Sequence, residues 1–284
     1  MRSLVRRAAW GGARGGAGLI TVITLGLAAC GQATAPAPAG GTTAASSRPA
    51  PSSSATSASA ATPPVPSAAG QLAAFIAAAG QADSRLRHAA ALVNSDIGAT
   101  SMRFTPATLT AVRALGNAPV ARAIPAGLPD ELLREALVVY GDLASRTAAL
   151  DAVGRYGYPG QKLPIGGPDA QAVLGCLRHG APAAGRFHAD LAAVRSLAQQ
   201  TPPLTLAAPD SRAAAEVALQ INSIDKRNAC SDECGGYAPT QLETVIWHPG
   251  TEQHSRHYEG TISGIRFQAD YTAAHGWQIM IYAC

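Results

Sequence analysis

Ile265-Arg266-Phe267-Gln268-Ala269-Asp270-Tyr271 decides the fold class of this chain. Apolar and polar residues take turns along it, the period of a strand with one face on a core and the other in water. Trp277, Ile279 and Ile281 repeat the alternation, and Leu242–His248 and Arg256–Ile262 supply two more candidate strands. Pro249-Gly250, Ser263-Gly264 and His275-Gly276 mark turns between them, so residues 235–284 read as a four-stranded antiparallel β-meander.

Upstream of this sheet the period changes to that of helices. Leu72, Phe75, Ile76, Leu86, Ala90 and Val93 share one face of a helix over about 71–93, and Thr105-Pro106 opens a shorter one to about Leu115. Pro125 and Pro129 interrupt the next stretch. Asp130 and Glu131 favour a helix start through the macrodipole, and Leu132, Leu133, Leu137, Tyr140, Leu143 and Leu150 carry its stripe to about Val153. Glu135, Asp142 and Arg146 read as the solvated face of that helix. A Gly/Pro-rich loop follows over 156–168, and three further helices are expected at Asp169–Arg178, Ala183–Gln199 and Asp210–Asn228. The expected fold is α+β: an antiparallel helical bundle over 69–229, then the sheet, in a single folded domain of residues 69–284.

The first 68 residues have a different composition. Arg2, Arg6, Arg7 and Arg14 precede the apolar run Leu19–Ala29, which is too short to span a bilayer comfortably and reads as the core of a signal peptide over 1–29. Leu27-Ala28-Ala29-Cys30 resembles the lipobox of bacterial lipoproteins. The resemblance implies that Cys30 is acylated on sulfur, palmitate included, and becomes the N-terminus after cleavage. From Gly31 to Ser67 the chain is nearly all Ala, Pro, Ser, Thr and Gly, with Arg48 as its one charge, too little apolar surface to offset the entropy of ordering. Residues 30–68 are therefore expected to be a lipidated Cys and a disordered tether, with a root-mean-square reach of roughly 35 Å. The expected location is the extracytoplasmic face of the cell membrane.

Of the 22 Lys and Arg, the four named above precede Cys30, leaving 18 against 18 Asp and Glu. A near-neutral mature chain lacks the basic surface that phosphate contacts need, so no nucleic-acid partner is expected. Only two residues are lysine, a usage that fits a GC-rich genome.

Cys176, Cys230, Cys234 and Cys284 remain after Cys30, and an even number in an exported domain favours disulfides. Cys176 with Cys230 and Cys234 with Cys284 is the favoured pairing, on the premise that the start of the first strand and the end of the last share an edge of the sheet. Cys230–Cys234 with Cys176–Cys284 is its main rival.

His248 and His254 are candidate metal ligands across a hairpin, whereas His257 should point to the other face. No nucleophile elbow, zinc-protease pair or dinucleotide fingerprint occurs in the mature chain, and no cofactor is expected. A helix feeding a four-stranded sheet that ends in Gly276-Trp277-Gln278-Ile279 is similar to the C-terminal part of nuclear-transport-factor-2-like domains, a resemblance that implies a concave pocket. Trp247, Tyr258, Phe267 and Trp277 are its candidate lining. The functional expectation is a non-catalytic binding or envelope-assembly lipoprotein, anchored to the membrane and taking an envelope protein, peptide or small apolar ligand. An envelope hydrolase with dispersed catalytic residues and a histidine metal carrier are the alternatives.

Overall fold

The computed structural model describes residues 67–201, 204–230, 236–237, 239–250 and 256–282, and residues 61–284 cluster as one compact unit. Among the described residues the fold is α+β, with six helices followed by a four-stranded antiparallel sheet.

Helix α1 spans Ala68–Ser95 and starts where the Ser67 hydroxyl accepts the amide hydrogen of Gly70. Its residues Leu72, Phe75, Ala79, Ala82, Leu86, Ala89 and Val93 are buried at spacings of three and four. Asp96 follows, and its Oδ2 accepts from the Thr105 amide at 2.8 Å and the Thr108 hydroxyl at 2.6 Å, tying the end of α1 to the cap of α2, Pro106–Arg113. Helix α3, Ala118–Ala123, occupies a stretch expected to be interrupted; it precedes Pro125, and its Val120 is fully buried. Helix α4 runs Asp130–Tyr156.

The next segment adds a short pairing to the expected loop and corrects one expectation about its helices. The 156–168 loop is pinned to the bundle: β2, Leu163–Pro164, pairs antiparallel with β1, Ser101–Met102, where two-residue strands leave no period to read. The pair of helices expected on either side of Gly180-Ala181-Pro182 is one helix, α5, Pro168–Gln200, with Pro182 inside it. Proline removes one helical hydrogen bond and crowds the carbonyl four residues back. The helix nonetheless continues, because Ala170, Val173, Cys176, Gly180, Ala183, Phe187, Leu191 and Val194 form one unbroken buried stripe across the proline. At Gly180 a Cβ would stand 2.6 Å from Cβ of Ala149, so α5 meets α4 too closely for any side chain there.

Helix α6, Arg212–Cys230, joins two cores. Val217 and Ile224, two turns apart, belong to the core of the bundle, while Ala215 and Leu219, one turn apart, belong to the core under the sheet. The strands are β3 Val245–Trp247, β4 His257–Ile262, β5 Ile265–Thr272 and β6 Gly276–Ile281, in the order β3-β4-β5-β6. Ser263 and Gly264, at φ 48° and 80°, form the two-residue turn that sets Ile262 opposite Ile265. Left-handed backbone at both positions matches the twist of the strands it joins. This order places β3 and β6 on opposite edges, three strand spacings or roughly 14 Å apart. The premise that the ends of the meander share an edge therefore fails, since a disulfide needs Cα atoms within about 7 Å. Cys30, Cys234 and Cys284 lie outside the described residues, as does the side chain of Cys230.

Candidate functional site

The four aromatic residues singled out in the sequence come together. Trp247 packs edge-on against Tyr258 and Phe267 at centroid distances of 5.1 and 5.3 Å, and Tyr258 stacks on Trp277 at 5.3 Å. Strand alternation puts all four on the inner face, over Ala215 and Leu219 of α6. Gly260 makes room for them, because a Cβ there would stand 2.2 Å from the Ile246 carbonyl oxygen and 2.9 Å from the Phe267 ring. The cluster is also closed from the side: the Trp277 indole donates to the Pro209 carbonyl at 2.9 Å, and Arg212 lies over the Trp247 ring at 4.9 Å. Trp247, Tyr258 and Phe267 are buried, so the concavity expected here is filled by the protein's own rings.

The outer face of the sheet carries the opposite residue types. His257 Nδ1 lies 2.6 Å from Asp270 and Nε2 lies 3.5 Å from Glu259, and Gln268 donates to Asp270 at 2.8 Å. The hydrogen bond to Asp270, helped by the charge of both acids, raises the His257 pKa. Two neighbouring carboxylates favour the charged form of the ring. His248 sits beyond β3 with its amide bonded to the Glu259 carbonyl, and His254 lies outside the described residues. Among the described residues, no group of three or more His, Cys, Asp or Glu is placed to hold a metal ion.

A polar clasp between α6 and the start of the sheet went unforeseen. The Gln220 amide donates to the Glu243 carbonyl at 2.7 Å and accepts from the Glu243 amide at 3.0 Å. The Glu243 carboxylate receives Ser223 at 2.8 Å, Tyr237 at 3.0 Å and Arg227 at 2.9 Å. Burial raises the Glu243 pKa, but hydrogen bonds from Ser223, Ser263 and Arg227 outweigh it and leave it lowered. Burial, with Glu243 alongside, pushes Tyr237 up to about 12. Gln220, Ser223 and Arg227 share one stripe of α6, which is the signal that sequence carried.

The bundle also holds charges where a solvated face was expected. Arg146 is 7% exposed and bonds Asp83, 3% exposed, at 2.7 Å; Arg87 and His188 reach the other oxygen of Asp83 at 2.9 and 3.8 Å. Asp142 is fully buried and accepts from Arg186 at 2.7 Å. Packing of α5 along this side of α4 covers Asp142 and Arg146, and α1 and α5 supply their partners. Glu135 is also only partly exposed and pairs with Arg134.

Two open clefts lie elsewhere, about 520 Å³ along Ala77, Gly80 and Ser84 of α1 and about 270 Å³ between Thr147 and Asp151 of α4 and Asp225 of α6. Neither is lined by the aromatic cluster or by His257. No helix among the described residues is long and apolar enough to cross a membrane. No protein-family model, curated protein or solved structure matches this chain.

Proposed function

We propose that this protein is a lipid-anchored, extracytoplasmic binding module that meets a partner protein of the cell envelope and does no chemistry of its own. The observation that carries the reading is Leu27-Ala28-Ala29-Cys30 at the end of an apolar leader core, followed by a tether rich in Ala, Pro, Ser and Thr up to the Ser67 cap of α1. A protein partner is favoured over a small apolar ligand because the aromatic cluster is packed on itself, so contact falls to the outer surface. Cell fractionation of the full chain and its Cys30→Ala form tests the anchor. The wild type is expected in the membrane fraction and the variant in the soluble extracytoplasmic fraction; a wild type that is soluble would overturn the proposal.

The finer proposal for the fold is that disulfides fasten it. Cys176 is 3% exposed against Ala152 and Tyr156. Gly236 lies against His179, one turn along α5 from Cys176, which favours a bond from Cys176 to Cys234. The Lys226 ammonium donates to the Ile281 carbonyl, bringing the end of β6 to the C-terminal part of α6, one turn before Cys230, and favouring Cys230 with Cys284. This differs from both pairings weighed on sequence. Peptide mapping without reduction is expected to recover these two links, and a Cys230–Cys234 link would refute them.

A further inference from the structure

Asp142 stands in the seam between α4 and α5 with no exposure to solvent, yet one of its oxygens has no donor among the described residues. Oδ1 accepts from Arg186 at 2.7 Å, whereas Oδ2 is buried and receives nothing from the described residues. Asp190, one turn beyond Arg186 on α5, also has a buried Oδ2 without such a donor. The two carboxyl groups are within hydrogen-bonding reach of each other. Two ionised carboxylates offer only acceptors, so each would leave the other unsatisfied and repel it. One proton between them gives Asp142 Oδ2 or Asp190 Oδ2 a hydrogen to donate and removes one of the two charges.

We propose that Asp142 and Asp190 share one proton and act as a pH-sensitive latch between α4 and α5, closed while the proton is held and loosened when it leaves. The proton departs to water, and no electrons move. Its loss leaves two negative charges facing Arg186. The other charged groups on this side of the bundle are committed: Arg146 of α4 and Arg87 of α1 to Asp83, with His188 of α5 beside it. Asp225 of α6 is held by the Tyr140 hydroxyl, two residues before Asp142. Among the described residues, no second cation is therefore at hand to replace the proton. Burial, with the hydrogen bond to Asp190, raises the Asp142 pKa to about 7 against the pull of Arg186. A group raised in the folded state adds stability below its unfolded pKa and loses it as pH rises through the folded value. The latch thus weakens between about pH 4 and pH 7 and is open above that range. For an exported domain, which rests on the reading above, this is a range that the surroundings set directly.

The test uses the full chain labelled with carboxyl-¹³C aspartate, and Asp142→Asn and Asp190→Asn forms. The Asp142 carbon is expected to titrate near neutrality, and in Asp190→Asn its midpoint is expected to fall by at least about one pH unit, because the amide then donates to the ionised form. Backbone amides of α4 and α5, corrected for intrinsic rates, are expected to exchange faster at pH 8 than at pH 5.5 in the wild type and alike in Asp142→Asn. An Asp142 carbon already ionised at pH 5, or equal pH dependence of exchange in wild type and Asp142→Asn, overturns the latch. The titration is the same whether or not Cys30 is acylated, so its failure is distinguishable from failure of the anchor.

Discussion

Replacing Asp83 with Ala strands a buried guanidinium. Arg146 is 7% exposed and its Nη1 bonds Asp83 at 2.7 Å, with the Phe187 ring 5.8 Å from its Cζ as the other neighbour. Taking an ion into the interior costs several kcal/mol, and a cation over an aromatic ring returns about 1 kcal/mol of it. Removing one partner of such a pair costs about 3–5 kcal/mol. The same substitution also breaks the ion pair between Arg87 and Asp83, which adds little, since the Arg87 side chain is 61% exposed. At this chain length 1 kcal/mol moves Tm by about 2–4 °C, so the variant is expected to melt about 6–20 °C lower. Urea unfolding followed by circular dichroism measures the free energy directly. The pair Asp83→Leu with Arg146→Met removes both charges and is expected to recover most of the loss. A single variant that loses less than about 1 kcal/mol would refute the reasoning, because it would mean the pair is solvated like one at the surface.

Three further outcomes follow from the packing. Gly260→Ala is expected to distort the sheet, since the added Cβ would meet the Ile246 carbonyl oxygen at 2.2 Å; loss of the near-ultraviolet signal of Trp247 and Trp277 reads it. Pro182→Ala is expected to stabilise the protein by about 1–2 kcal/mol, the restored helical hydrogen bond being partly offset by a freer unfolded chain; thermal melts check the sign. Glu243→Gln is expected to weaken the α6–sheet clasp and flatten the acid limb of the stability profile. Because the folded pKa of Glu243 is lowered, its contribution is present above the unfolded pKa and lost as pH falls through the folded value. Urea midpoints taken from pH 6 down to pH 3 for both chains show whether the difference closes.

The elements legible in sequence were those with enough length for a period to accumulate. The alternation over Ile265–Tyr271 located β5, and Ser263-Gly264 located its turn, because both signals are local. Pro182 misled because its local cost is real, and only the stripe running from Val173 to Val194 against α4 shows why α5 absorbs it. Two-residue strands such as β1 and β2 have no period, so Met102 opposite Leu163 was invisible. Asp142 and Arg146 looked solvated because charged residues usually are; their burial depends on α1 and α5, far away in the chain. The aromatic grouping of Trp247, Tyr258, Phe267 and Trp277 was readable from alternation. Whether such a group lines a pocket or fills it is decided by Gly260 and α6, which no single strand encodes.

Mass spectrometry of the N-terminal peptide of the protein purified from its own membrane tests the anchored-module account most directly. The account predicts a peptide beginning at Cys30 and carrying a lipid on its sulfur. A peptide beginning elsewhere, or an unmodified Cys30 within a longer chain, would contradict it.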